Sequence, residues 1–376
     1  MSQTTMTNRL AHDLDHILAR TEPLWQDLHG QRILITGATG FFGCWLLESF
    51  AWANRRLNLN ARAVGLSRHP ESLTQKAPHL AQDPAISLHA ADVRRGDFPQ
   101  GGFSHVLHAA TEASATLNNE APRVMFDTIV GGTRRALQSS IASSATRFLL
   151  VSSGAVYGSQ PSQLTHVSET FTGGPDPLNP ASAYAEGKRS AELLCALAAS
   201  PRLATTVARC FAFAGPYMQL DAHFAIGNFI GDRLHDRPIR VLGDGSPVRS
   251  YLYASDLMVW LWTILFRGQS CRAYNVGSEE ALNIATLAHE VAAALPPAVD
   301  VDIASTGAPG APVHRYVPST ARAREELGLR AEVPLREAIR RTHAWFSGDT
   351  FSGDTFSEQS EPEVSSPTFT ARGTHA

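Results

Sequence analysis

Apolar residues along this chain come in two rhythms. Runs such as Arg32-Ile-Leu-Ile-Thr36 and Arg147-Phe-Leu-Leu-Val-Ser152 show little polar alternation and read as strands buried on both faces. Similar runs at 61–66, 86–89, 105–110 and 206–211 predict further strands. Between them, positions 44–54, 120–142 and 184–198 carry helical patterns. Strands alternating with helices of this length predict an α/β fold, a parallel sheet with helices on both faces joined by right-handed crossovers.

The flanks follow other patterns. Leu10, Leu14, Ile17 and Leu18 recur at helical spacing, which predicts an amphipathic helix over 8–21. That helix either covers an edge of the sheet or serves an oligomer contact. Residues 158–183 are rich in Pro, Gly, Ser and Thr and read as a long loop beside the strand ends, where open α/β sheets bind ligands. A turn is expected at Gly243-Asp-Gly245, a helix over 282–295 and a loop over 296–312. Residues 1–9 are expected to fray and 347–376 to form a disordered tail. The expected organisation is an N-terminal extension (1–29), mainly a dinucleotide-binding domain (30–210), and mainly a smaller substrate-binding domain (211–346) that returns some elements to the first.

Composition narrows the function classes. With 376 residues and 43% hydrophobic content, the chain can bury a large core and a second lobe. Its 32 basic and 35 acidic residues nearly cancel, which argues against nucleic-acid and acidic-membrane partners. Cys44, Cys195, Cys210 and Cys271 are too scattered for a disulfide framework or a zinc site, so no metal is expected and a reducing compartment, the cytoplasm, is. The first twenty residues lack the apolar stretch of a signal peptide. Residues 257–266 are the most apolar stretch, too short to span a bilayer, and read as a buried helix.

Candidate chemistry begins after the first strand. Gly37, Gly40 and Gly43 form a G-x-x-G-x-x-G pattern between strand and helix. One glycine permits the tight turn, another lets the backbone approach a pyrophosphate, and a third lets helix and strand pack closely. Free N–H groups at the helix start then face the phosphates of a dinucleotide on a Rossmann-type sheet. The second strand ends in Gly65-Leu-Ser67-Arg68, without the acid that binds a free ribose 2′-hydroxyl. Arg68 suits a 2′-phosphate, adenine stacking or plain solvation, so NAD and NADP both stay open. Asp92 follows the third strand and suits either the adenine amino group or a turn.

Further along, Tyr184 and Lys188 lie four apart on one helix face, and Ser153 ends a strand. An ammonium beside a phenol favours its phenolate. A phenolate takes a proton from a hydroxyl as hydride leaves the same carbon, and the phenol returns it in reverse. Ser153 can hold the reacting oxygen, and Lys188 the nicotinamide ribose.

Together with His108-Ala-Ala110, Ser152-Ser-Gly-Ala-Val-Tyr-Gly158, Arg209, Gly215-Pro216, Arg249 and Asp256, these motifs resemble the extended short-chain dehydrogenase/reductases, and most closely their NAD-dependent epimerase/dehydratase branch. The resemblance spans about residues 31–345. It implies a dinucleotide held by Gly37, Thr39, Gly40, Phe41, Phe42 and Gly43 of the loop. Arg68, Asp92, Val93, Ala109 and Ala110 at strand ends, with Tyr184 and Lys188, complete that set. It further implies Ser153, Tyr184 and Lys188 as the catalytic trio, Arg249 and Asn228 at the diphosphate or nucleotide of a nucleoside-diphosphate sugar, and a homodimer built through four helices.

Departures from the family pattern shape the expected reaction. Sugar 4,6-dehydratases carry Thr-Asp-Glu where this chain has Ser153-Gly154-Ala155. Nucleotide-sugar decarboxylases carry Glu at the place of Ala155. A methyl group can neither protonate a leaving hydroxyl nor remove a proton. Glu112, after the 105–110 strand, is better placed than Glu186 to substitute. Ala212 and Ile129 replace common Asn residues of the family. The expected function is a nucleotide-sugar epimerase working by transient oxidation, at C4, with a bound nicotinamide cofactor. The alternatives are an NADPH-dependent 4-keto-sugar reductase, a dehydratase with displaced acid and base, an oxidoreductase acting on a non-sugar ketone, and a non-catalytic dinucleotide-binding protein.

Overall fold

The computed structural model describes residues 8–111, 115–221, 224–297, 299–305 and 313–349. Glu112, residues 1–7 of the start expected to fray and residues 350–376 of the expected tail lie outside the described residues.

A seven-stranded parallel sheet forms the centre. It contains β1 (Arg32–Thr36), β2 (Arg62–Ser67), β3 (Ile86–Ala90), β4 (His105–His108), β5 (Arg147–Ser153) and β6 (Ala204–Cys210), each near its expected run. A late strand, Arg272–Val276, returns beside β6. From that edge the order is late strand, β6, β5, β4, β1, β2, β3. Ile33, Leu34 and Ile35 are all fully buried. Successive side chains point to opposite faces, and helices cover both, which is why the run needed no polar alternation. Strand order reverses between β1 and β4, so a crevice opens at their carboxyl ends.

The helices run in chain order from α1 (Ala11–Thr21) and α2 (Phe41–Arg56) through the short α3 (Glu71–Lys76) and α4 (Pro78–Ala81). Then come α5 (Ala115–Glu120), α6 (Pro122–Ala142), α7 (Ala183–Ala198), α8 (Ala225–Leu234) and α9 (Ala254–Arg267). The chain closes with α10 (Ile284–Ala294), α11 (Ala321–Leu327) and α12 (Leu335–Ser347). The buried helix expected over 257–266 is α9, where every residue from Leu257 to Phe266 except Val259 is buried. Helix α10 starts at Ile284, where the side chain of Asn283 accepts from Thr286 N at 2.7 Å and satisfies one free donor of the first turn.

Helix α1 neither caps a sheet edge nor offers its apolar face to a partner. Leu10, Leu14 and Ile17 are buried against α9 and α2, so the helix lies over the outside of the helical layer. Behind it, Trp25 packs on Trp262 with ring centroids 4.6 Å apart. Asp13, also buried, accepts from Tyr253 Oη at 2.8 Å and from Arg341 at 2.6 Å. Arg9 donates to the carbonyls of Ala344 and Trp345. Each of these apolar side chains contributes about 1.5–3 kcal/mol of burial. A second buried acid, Glu48 of α2, accepts from Tyr217 Oη at 2.6 Å, His79 Nε2 at 2.8 Å and Asn8 Nδ2 at 3.0 Å.

After β6 the smaller lobe packs α8, α10 and α12 through Ile226, Ile230, Leu287, Val291 and Ile339. The loop expected over 296–312 contains a strand: Val301–Ile303 pairs in parallel with Ile239–Val241. Its Pro- and Ala-rich surroundings hid it, because a three-residue strand has too few positions to show a period. At the far end, Ser347 closes α12 and does not begin a tail.

Candidate functional site

The glycine loop sits at the reversal point. Gly37 adopts φ +73°, and a Cβ there would lie 2.7 Å from the Ala109 carbonyl. A Cβ on Gly43 would overlap the Gly37 carbonyl. Both positions therefore exclude side chains, and the backbone stays open towards a ligand over the α2 N-terminus. Thr39 Oγ1 and Ser67 Oγ hydrogen-bond at 2.8 Å, joining the loop to the end of β2. Phe41 and Phe42 meet edge to face, 5.6 Å between centroids, and Phe42 meets Phe213 in the same way. A bare cradle at a helix N-terminus with no side chain in its way fits a pyrophosphate, so the residues present suit a dinucleotide.

The β4 end is fixed from below. Thr36 Oγ1 bonds His108 Nδ1 at 2.7 Å and accepts from Ala110 N at 3.2 Å. His108 Nε2 reaches Thr133 on α6 at 3.2 Å. Burial pushes the His108 pKa down to about 3, so the ring is neutral and links β1, β4 and α6 without a charge. Val93 is buried against α6, where a Cβ on Gly132 would lie 2.9 Å from its side chain. Asp92 is already engaged: Arg94 grips its carboxylate through Nε (3.1 Å) and NH2 (2.7 Å), and the backbone N of Arg94 donates to Oδ1 at 2.9 Å. These bonds hold its pKa down at about 2.

Ser153, Tyr184 and Lys188 converge at the carboxyl end of β5. Ser153 Oγ accepts from Ala155 N at 3.2 Å. Lys188 Nζ donates to Val151 O at 2.7 Å and Thr111 Oγ1 at 3.2 Å. It lies 5.9 Å from the Tyr184 ring centroid. The expectation that the ammonium would favour a Tyr184 phenolate needs correcting. Burial dominates and pushes the Tyr184 pKa up, opposed by a hydrogen bond with Ser153. Burial also brings Lys188 down to about 8. The phenol is therefore protonated at neutral pH.

Two neighbours escaped the sequence. Thr111 receives the Lys188 ammonium. Tyr316, in the short strand Arg315–Tyr316, places its hydroxyl 3.3 Å from Ser153 Oγ and donates to Cys210 O at 3.4 Å. Its ring packs on Phe211 with centroids 4.6 Å apart. The Cys210 thiol lies by Lys188 as well, where burial pushes it up to about 12 and leaves it unreactive. A two-residue strand in a polar stretch carries no periodic signal, so nothing local marked Tyr316.

Of the expected substrate contacts, Arg249 reaches this cluster. Its guanidinium lies 6.0 Å from the Tyr316 ring centroid and donates to the carbonyls of Val248 and His314. Asn228 sits in the first turn of α8, partly exposed. Glu186 lies 3.6 Å from Arg189 on α7. Ile129 of α6 packs against Gly187, a Cβ on which would come within 3.1 Å of its side chain. Ala155 follows Gly154 in a single helical turn beside Ser153.

Comparisons with known proteins bear on the family and the fold. Residues 33–277 match the NAD dependent epimerase/dehydratase family. UDP-glucuronic acid decarboxylase 1 of Arabidopsis thaliana is 28% identical over 82% of this chain and 68% of its own. dTDP-glucose 4,6-dehydratase of Streptomyces griseus is 28% identical over 84% of this chain and 93% of its own. Among solved structures, the UDP-glucose 4-epimerase of Thermotoga maritima superposes with a TM-score of 0.70 at 20% identity, over 84% of this chain and 99% of that one, and shows the shared fold. Loop, trio and sheet order thus meet in one assignment: this chain is an enzyme belonging to the NAD dependent epimerase/dehydratase family.

Proposed function

We propose that the enzyme transfers hydride at C4 of a nucleoside-diphosphate sugar and returns it to the same sugar, as a 4-epimerase. The observation that carries this reading is Ser153 and Tyr184 meeting beside Ala155, with no carboxylate bonded to either among the described residues. The nicotinamide, when bound, supplies the hydride acceptor and donor. Ser153 holds the sugar O4 through its hydroxyl, and Tyr184 exchanges the proton at that oxygen. Lys188 supports the ribose side of the site, anchored by Val151 and Thr111. Arg249 offers a guanidinium to the diphosphate. Elimination and decarboxylation need groups that the methyl of Ala155 does not supply.

The exposed Leu193 and Leu197 of α7 and Val124 of α6 support a homodimer through these two helices. Four free cysteines, three of them buried, suit a cytoplasmic setting. No helix among the described residues is long and apolar enough to cross a membrane.

The test is incubation with UDP- and dTDP-hexoses in deuterium oxide, followed by NMR. Inversion at C4 without solvent deuterium at C5 is expected. A 4-keto-6-deoxy product, or a pentose with release of carbon dioxide, overturns the reading.

A further inference from the structure

We infer that Glu192 is a positioning residue: locked by Ser152 and Arg209 one helical turn beyond Lys188, its carboxylate keeps the buried ammonium charged and in place beside Tyr184. This role rests on Lys188 belonging to the proposed catalytic trio, and on no particular sugar.

Tyr184, Lys188 and Glu192 follow one another at intervals of four, so all three lie along one face of α7. Of the 32 basic residues in the chain, only Lys76 and Lys188 are lysines. A lysine, unlike an arginine, gives up its proton readily when buried. Lys188 is buried, and the two oxygens it donates to, Val151 O and Thr111 Oγ1, are neutral.

Burial brings Lys188 down to about 8, opposed by Cys210 on β6 and by Glu192 and Cys195 on α7. The two thiols carry no charge there. Burial pushes both up, Cys210 to about 12, so they are neutral where the lysine titrates. Burial likewise keeps the Tyr184 phenol protonated and holds the His108 ring of β4, at about 3, uncharged. Among the described residues Glu192 is then the one carboxylate that acts on the lysine. Residues four apart on a helix lie about 5–6 Å apart at Cβ, near enough for an anion to favour an ammonium.

The neighbouring strands fix the carboxylate. Ser152 Oγ on β5 donates to Oε1 at 2.6 Å. Arg209 on β6 donates from Nε to Oε1 at 3.1 Å and from NH2 to Oε2 at 2.7 Å. Its third nitrogen, NH1, is held by Tyr157 Oη at 2.9 Å, and Tyr157 in turn donates to Asn275 Oδ1 at 2.7 Å. Ser152 directly precedes Ser153, so the strand that presents the trio's hydroxyl also holds Glu192.

The experiment is NMR titration of the full chain carrying lysine labelled with ¹³C at Cε. Two lysines give two resonances, and Lys76→Arg assigns them. Lys188 should titrate near 8 in the native chain and at lower pH in Glu192→Gln. A midpoint one pH unit lower cuts the charged fraction at pH 8 from about half to about a tenth. NADH binding, followed by fluorescence, should weaken at correspondingly lower pH. Glu192→Asp keeps an anion on this face of α7 and should hold the midpoint near its native value. Glu192→Gln strands the Arg209 charge, so it is also made together with Arg209→Gln, which leaves neither partner unpaired and should lower the midpoint as well. A melting temperature that falls while Lys188 titrates as in the native chain would make the pair purely structural and overturn the inference. NADH binding indifferent to the moved midpoint overturns it too. A midpoint and NADH affinity that move together, with no nucleotide sugar turned over, would leave the role of Glu192 standing and sink only the proposed reaction.

Discussion

The Tyr316 hydroxyl stands 3.3 Å from Ser153 Oγ, across the junction between the small lobe and the end of β5. The strand Arg315–Tyr316 thus brings a second phenol to the trio. Tyr316→Phe removes the hydroxyl and keeps the ring on Phe211. Losing one hydrogen bond of about 0.5–1.5 kcal/mol should lower kcat by roughly 2–10-fold with little change in melting temperature. Steady-state kinetics beside a thermal melt checks this, and an unchanged kcat would remove Tyr316 from the site.

Tyr184→Phe deletes the group assigned to proton exchange. Turnover should fall by about 10²–10⁴-fold, the usual range for general acid–base catalysis. Dinucleotide binding should survive, because the glycine loop and Lys188 are untouched. Comparing turnover with NADH or NADPH fluorescence titration separates the two effects, and a joint loss would mean the phenol holds the site together.

Stability should depend on pH through two buried histidines. Burial pushes His105 to about 4 and His108 to about 3, whereas an unfolded histidine titrates near 6.5. Below pH 6.5 the unfolded chain binds more protons, so stability falls with pH, through about 4 for His105 and on to about 3 for His108. Each contributes about 1.4 kcal/mol per pH unit in that window, or about 2 kcal/mol lost per histidine by pH 5. Denaturant melts at pH 7.5 and 5 measure the difference, and His108→Gln should roughly halve it, leaving the His105 share.

Glu48 ties α2 to the turn at Tyr217 and to His79. Glu48→Gln puts an amide donor against one of its three donors and should cost about 1–3 kcal/mol. The hydrogen bond to Glu48 is the main cause raising the His79 pKa, so NMR titration of that ring should show its pKa falling in the variant. An unmoved His79 would mean that the contact is not formed in solution.

The sheet was legible because buried parallel strands write themselves as uninterrupted apolar runs, and β1, β2, β5 and β6 did so. Tyr184 and Lys188 were legible because both lie in one helix, where spacing alone fixes the face they share. Tyr316 was not, since its closeness to Ser153 spans 163 positions and depends on the path of the whole smaller lobe. The partner of Asp92 was not legible either: Arg94 grips its carboxylate, and sequence cannot say which nearby cation a carboxylate will choose. The amphipathic pattern of α1 was plain, but the surface that receives it, α9, lies far along the chain.

That distance has a consequence for synthesis. The bond between Asp13 and Tyr253 spans 240 positions, and the one between Asp13 and Arg341 spans 328. At about 5–20 residues per second on the ribosome, α1 emerges roughly 10–50 s before α9 exists to cover Leu14 and Ile17. Over that interval the apolar face of α1 lacks the cover that α9 supplies. A nascent-chain proteolysis assay should find the α1 region protected only after α9 has cleared the exit tunnel.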